Sequence, residues 1–122
     1  MSFKHMQPPN RIGFIGLGSI GKPMAINLHN AGYSLNIFIR NQNTLTYHDL
    51  KLFNCFNSPE DAAKDVAALI LCLPDENSIE DVLYGGKGAI NTLQEDCIVI
   101  NCSTIHPDKS RAYYEKLREY NI

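Results

Sequence analysis

No run of apolar residues in this chain approaches the ~20 that a membrane-spanning helix needs, so no transmembrane segment is expected. Neither sign of charge dominates: 11 basic and 13 acidic residues leave a net charge of −2. That balance supplies no basic field, and nucleic acid is not an expected partner. The four cysteines, Cys55, Cys72, Cys97 and Cys102, form no C-x-x-C pair, and no histidine stands at metal-ligand spacing from them. Cys72 and Cys97 lie in apolar runs, where free buried thiols are common. Structural thiols without a metal, in a reducing, cytoplasmic setting, are therefore expected. Residues 1–10 are polar, contain Pro8 and Pro9 and lack the apolar stretch of a secretory signal, so they read as a flexible leader.

What is present fits one globular domain over residues 11–122. The 122 residues are 44% hydrophobic and 20% charged. A chain of this length buries roughly 65% of the surface exposed by its unfolded form, enough for a core without staples.

Short apolar runs alternate with helical patterns. Residues 11–15 predict a first strand. Residues 19–31 carry Ile20, Met24, Ile26 and Leu28 near helical spacing, with Pro23 in the first turn, where its missing N–H does no harm. Gly32 then supplies a left-handed stop. Residues 35–39 predict a second strand, 44–53 a short helix and 55–56 a brief third strand. Ser58-Pro59-Glu60-Asp61 is a capping signature that opens a short helix ending near residues 64–65.

Residues 66–73 are almost wholly apolar, as a central parallel strand covered on both faces should be, and Pro74 stops them. A helix over 76–83, a glycine loop at 85–88 and a helical turn or two at 89–93 follow. Residues 97–101 predict another buried strand. Residues 107–120 predict a charged surface helix with Tyr113, Leu117 and Tyr120 facing inward. Asn121 stands where a left-handed cap is expected, and Ile122 reads as the start of a further strand. The chain is thus expected to stop at an element boundary, and an exposed sheet edge there would favour a homo-oligomer.

The segment Gly16-Leu17-Gly18-Ser19-Ile20-Gly21 fits G-x-G-x-x-G. Its place between a predicted strand and helix is the context a dinucleotide-binding turn requires. The first glycine allows a tight turn, the second lets the backbone approach a pyrophosphate, and the third lets helix and strand pack closely. The helix's free N–H groups and positive end then hold the anion. Strands alternating with helices around such a turn predict an α/β fold. It is a Rossmann-type, doubly wound parallel sheet with helices on both faces, truncated before its last strands.

About 20 residues on, at the end of the second strand, an NAD site carries an acid for the ribose hydroxyls. Here Ile39 is followed by Arg40, Asn41, Gln42 and Asn43. No carboxylate is available to repel a phosphate, and a guanidinium stands where it binds one bidentately. This favours NADP, with NAD as the alternative. Leu73 and Pro74 end the fourth strand at the carboxyl edge of the sheet, where ligands of open α/β folds lie. Ser103 and Thr104 occupy the same edge one strand later, suited either to bonding a carboxylate or carbonyl or to capping the next helix. His106, before Pro107, reads as a helix cap rather than a proton-exchanging group.

The stretch from Phe14 through Gly21-Lys22-Pro23-Met24 to Asn27-Leu28 resembles the amino-terminal signature of the β-hydroxyacid dehydrogenases, among them 3-hydroxyisobutyrate dehydrogenase. Arg40, Ser58-Pro59-Glu60, Leu73-Pro74-Asp75, Val82-Leu-Tyr-Gly-Gly-Lys-Gly88 and Asn101-Cys-Ser-Thr-Ile-His-Pro107 extend the resemblance over nearly all of the chain from Arg11. The resemblance implies an NAD(P)-dependent interconversion of a β-hydroxyacid and its semialdehyde or keto form. It implies that Ser103 binds the substrate carboxylate, and that Thr104, Leu73 and Pro74 line the nicotinamide end. Two positions depart from the family: Ile20 replaces the usual Met, and Asn101 the usual Asp. The family's catalytic lysine and all-helical second domain would follow Ile122, so no catalytic residue is expected within this chain, and the chain alone is expected to be inactive. A 6-phosphogluconate dehydrogenase-like enzyme and a non-catalytic dinucleotide module are the alternatives.

Overall fold

The computed structural model describes residues 10–38, 46–103 and 105–122. Strands and helices alternate from the start. β1 (Arg11–Ile15) leads into α1 (Gly21–Asn30), and β2 (Ser34–Phe38) is followed by α2 (Tyr47–Leu52) and the two-residue β3 (Asn54–Cys55). Then come α3 (Pro59–Ala62), β4 (Ala68–Leu71), α4 (Glu76–Tyr84), a 3₁₀ turn (Ala89–Asn91), β5 (Ile98–Asn101) and α5 (Pro107–Arg118).

The strands form one sheet in the order β3-β2-β1-β4-β5, and every pairing is parallel. β1 lies at its centre, in register with β2 from Arg11↔Ser34 to Ile15↔Phe38 and with β4 from Ile12↔Ala68 to Ile15↔Leu71. The chain winds outward from β1 through β2 to β3, then returns to the other side of β1 for β4 and β5. Strand order therefore reverses between β1 and β4. In doubly wound sheets the crevice outside the carboxyl ends at such a reversal is where ligands bind.

Side-chain alternation along β1 builds a core on each face. Ile12 and Phe14 pack with Leu35, Ile37, Phe53 and Ile70 against Ala25 of α1. Ile15 joins Leu69, Leu71, Ile79, Val82, Leu83 and Tyr113 on the opposite face. Phe14, Leu69 and Leu71 have no exposed surface, and each fully buried side chain of this kind contributes about 2 kcal/mol of transfer free energy. β4 is buried along its whole length, as its apolar run predicts. Short β3 is held at the other end by side chains: Asn54 donates from Nδ2 to Asn36 Oδ1 at 3.2 Å and to Ser34 Oγ at 3.1 Å.

Several element bounds differ from the sequence expectations, and three of the differences have a clear physical cause. α1 begins at Gly21 rather than residue 19, because Ser19 and Ile20 complete the turn, with the Lys22 N–H donating to the Gly18 carbonyl at 3.0 Å. β5 is half-buried rather than buried, since among the described strands it has only β4 beside it. Tyr120 is 44% exposed, because α5 ends at Arg118 and the chain turns away after it. Among the described residues no helix is long and apolar enough to cross a membrane.

Candidate functional site

Residues Gly16 to Ile20 cross the carboxyl edge of the sheet where β1 gives way to α1. Gly16 holds φ at 104°, in the left-handed region, and a Cβ there would overlap the Cys72 carbonyl oxygen at the end of β4. A Cβ on Gly21 would overlap the Gly16 carbonyl oxygen in turn. These two positions lock the turn against the protein itself. Gly18 is different: a Cβ there would meet nothing within 4 Å, and the residue is exposed. The middle glycine is thus open toward solvent, which is where an incoming group would need the backbone bare.

The intervening side chains divide in role. Leu17 is buried, 3% exposed, within the core under α1, so only its backbone can serve a ligand. Ser19 and Ile20 are exposed, Ile20 at 73%.

Helix ends show a contrast that the sequence pattern alone does not draw. α2, α3, α4 and α5 each have a side-chain cap: Thr46, Ser58, Asp75 and His106 accept from Asp49, Asp61, Ser78 and Asp108 N–H groups respectively. α1, with Ile20 at its N-cap position, has no side-chain cap and no acid in its first turn. Its amino-terminal N–H groups and the positive end of its dipole therefore face the open turn. At such a helix end an anion can supply what a capping oxygen supplies elsewhere.

The strand-end residues converge on the same place. The Leu73 side chain lies about a van der Waals contact from Gly16, 3.3 Å from a Cβ built there. The Leu73 N–H donates to Ser103 Oγ at 2.7 Å, and the Ser103 N–H donates to Asn101 Oδ1 at 2.9 Å. Ser103 is consequently not a helix cap: α5 is capped by His106, whose Nδ1 accepts from the Asp108 N–H at 3.2 Å. Pro74 is exposed at the same edge. The structure thus brings the glycine turn, Leu73 and Ser103 together, while Arg40, Asn41 and Thr104 lie outside the described residues.

One feature near the turn was not anticipated. Lys22 Nζ lies 2.6 Å from Asp49 Oδ2, tying the first turn of α1 to the first turn of α2. Asp49 also accepts from the Thr46 N–H at 3.0 Å, while Thr46 Oγ1 accepts from the Asp49 N–H at 3.1 Å. That is a reciprocal capping box, and the T-x-x-D spacing was its legible sign. The hydrogen bond from Lys22, then the one from the Thr46 backbone, lower the Asp49 carboxyl from its ordinary 3.8 to about 2. Folding thus favours the ionised form: the stabilisation is complete above about pH 4 and is lost as pH falls toward 2. Asp49→Asn is expected to lower Tm at neutral pH, with the gap to the parent chain closing as melts are repeated down to pH 2. A gap independent of pH would contradict the pairing.

Tyr113 and Tyr84 sit between α4 and α5, away from the glycine turn. Burial first, then the Glu80 carboxylate that accepts from its hydroxyl at 3.1 Å, push the Tyr113 phenol up to about 12. A phenol held neutral in this way serves packing. Among the described residues no group of three His, Cys, Asp or Glu side chains is placed to hold a metal ion.

Comparison with known proteins adds to this geometry. Residues 11–122 match the NAD binding domain of 6-phosphogluconate dehydrogenase. The chain is 40% identical over 96 residues to the 3-sulfolactaldehyde reductase of Escherichia coli, an alignment covering 79% of this chain and 32% of that protein. It is 33% identical over 112 residues to the NAD-dependent L-serine dehydrogenase of Pseudomonas aeruginosa, covering 92% of this chain and 38% of that one. A solved 3-hydroxyisobutyrate dehydrogenase from Mycobacterium tuberculosis has the same fold, with a TM-score of 0.77 at 24% identity over 95% of this chain and 38% of its own. The chain spans about a third of the length of the curated relatives it matches.

Proposed function

The chain belongs to the family of NAD-binding domains typified by that of 6-phosphogluconate dehydrogenase, and from that premise we propose that it is the NADP-binding domain of an oxidoreductase. Its substrate on this reading is a small β-hydroxyacid or the matching semialdehyde. The observation that carries the cofactor reading is the start of α1. This helix alone of the five described lacks a side-chain cap, and it opens from a turn whose middle glycine is bare. A dinucleotide pyrophosphate fits both features.

The bound nicotinamide supplies or accepts the hydride. The chain's own residues bind and orient. N–H groups of Gly18 to Gly21 hold the pyrophosphate. Arg40 and Asn41 hold the phosphate that distinguishes NADP from NAD. Leu73, Pro74 and Thr104 line the nicotinamide end. Ser103 already accepts from Leu73, which leaves its O–H proton free to be donated, and a substrate carboxylate is the natural acceptor. A cytoplasmic setting accompanies this reading, since the four cysteines are free.

Asn101 bears on the non-catalytic alternative. It stands where the resembling dehydrogenases have Asp, yet its amide oxygen still accepts from the Ser103 N–H. The turn that presents Ser103 survives the change, so this departure does not by itself favour a module without chemistry.

His106, the histidine nearest the site in sequence, is committed to capping α5, and on this reading the acid/base group on the substrate oxygen lies outside the described residues. The 122-residue chain, mixed with NADPH and a small semialdehyde, is therefore expected to bind the cofactor without consuming it, as followed by NADPH fluorescence. Steady NADPH oxidation by the purified chain would overturn the assignment of the proton-transfer group to residues outside it.

A further inference from the structure

β4 and β5 run in register from Ala68↔Ile98 to Leu71↔Asn101. One step further stand Cys72 and Cys102, and the ladder continues there. The Cys102 N–H donates to the Leu71 carbonyl at 2.8 Å, and the Cys72 N–H to the Ile15 carbonyl at 2.9 Å. In-register neighbours on adjacent strands lie about 4.8 Å apart, inside the window of about 4.4–6.8 Å between Cα atoms that a disulfide accepts.

Alternation puts the two side chains on one face. Ile70, Cys72 and Ile100 all pack into the cluster beneath α1, and Cys102 follows Ile100 by two residues. Cys72 Sγ lies 4.0 Å from Met24 Sδ of α1, and the Cys102 thiol is near enough to help raise the Cys72 pKa. Cys72 is half-buried and Cys102 is exposed. The other two cysteines are placed elsewhere: Cys55 on β3, three strands away, and Cys97 buried before β5.

We propose that Cys72 and Cys102 form a dithiol modification site, which a hydroperoxide oxidises to a disulfide joining the carboxyl ends of β4 and β5. Burial first, then the neighbouring Cys102 thiol, push Cys72 up to about 11, so the exposed Cys102 meets the oxidant first. Its thiolate attacks one peroxide oxygen, the O–O bond breaks, and Cys102 becomes a sulfenic acid as the first water leaves. The Cys72 sulfur then attacks that sulfenic sulfur, forming the S–S bond and expelling a second water. Two thiols and one hydrogen peroxide thus become one disulfide and two waters. The bridge falls at the candidate site's edge, between the Cys72 carbonyl that backs Gly16 and the Leu73–Ser103 hydrogen bond.

The test treats the full chain with hydrogen peroxide, blocks remaining thiols with iodoacetamide and identifies cross-linked peptides by mass spectrometry. The expected product is lighter by two hydrogens, joins the peptides of Cys72 and Cys102, leaves Cys55 and Cys97 alkylated and reverts with dithiothreitol. Cys102→Ser should abolish the link, with Cys72 then remaining alkylatable. Conversion of Cys102 to the sulfinic acid beside an unreacted Cys72, or a link through Cys55 or Cys97, would overturn the proposal. The unmutated chain gives this result directly, so the test does not depend on any variant folding.

Discussion

Gly16→Ala is expected to destabilise the fold by about 3 kcal/mol, while Gly18→Ala leaves stability within about 0.5 kcal/mol and lowers dinucleotide affinity at least about 10-fold. The two substitutions add the same methyl group two residues apart, so any difference reports the geometry. At Gly16 alanine faces both a left-handed backbone and the carbonyl oxygen of Cys72, a residue whose N–H donates to the Ile15 carbonyl and so fixes the backbone there. At Gly18 the methyl enters open space. It costs nothing until a phosphate must reach the backbone there. Thermal melts and NADPH titrations of both variants separate the effects. Equal losses of stability would contradict the locked and open roles of the two glycines.

NADPH is expected to bind the parent chain about 10- to 100-fold more tightly than NADH, and Arg40→Ala to erase most of that ratio. The preference follows from sequence position: no carboxylate follows β2 within residues 39–43, and a guanidinium does. Charge-assisted hydrogen bonds to a phosphate contribute about 1.5–3 kcal/mol, which sets the size of the ratio. The Pseudomonas relative is named as NAD-dependent, so the opposite preference exists among similar chains. Isothermal calorimetry with each cofactor decides between them. Equal affinities in the parent chain would overturn the NADP reading. In Arg40→Ala the NADH affinity should stay close to that of the parent.

Much of this architecture was legible because local signals agreed with one another. The unbroken apolar run ending at Leu73 could only be a strand buried on both faces, and β4 is that strand. Ser58 and Pro59 marked the start of α3, Pro107 that of α5 and Gly32 the left-handed stop after α1, with φ at 101°. The strand order reversing at β1 was legible from the glycine turn, whose doubly wound context implies it, since alternation alone fixes parallel pairing without saying to which side each crossover goes. Leu17 falls inside a ligand-binding pattern, yet its side chain serves the core.

What escaped the sequence was long-range. Lys22 and Asp49 are 27 positions apart, and nothing local announces that one neutralises the other. Cys72 and Cys102 are likewise brought together only by the register of β4 with β5. Tyr120 fits the helical period of Tyr113 and Leu117, but α5 ends before it and the period no longer applies. Ser103 had two competing readings, a helix cap or a site hydroxyl. The bond from the Leu73 N–H, together with His106 as the actual cap, excludes the first.

On the proposed function, the uncapped start of α1 seats a dinucleotide pyrophosphate. Amide NMR spectra recorded while NADPH is added to the full chain test it most directly. The largest saturable shifts should fall on the N–H groups of Gly16 to Lys22, with smaller ones at Leu73 and Ser103, all following a single one-to-one curve. Shifts that do not saturate, or that centre on α5 or β3 while the glycine turn stays unchanged, would contradict it.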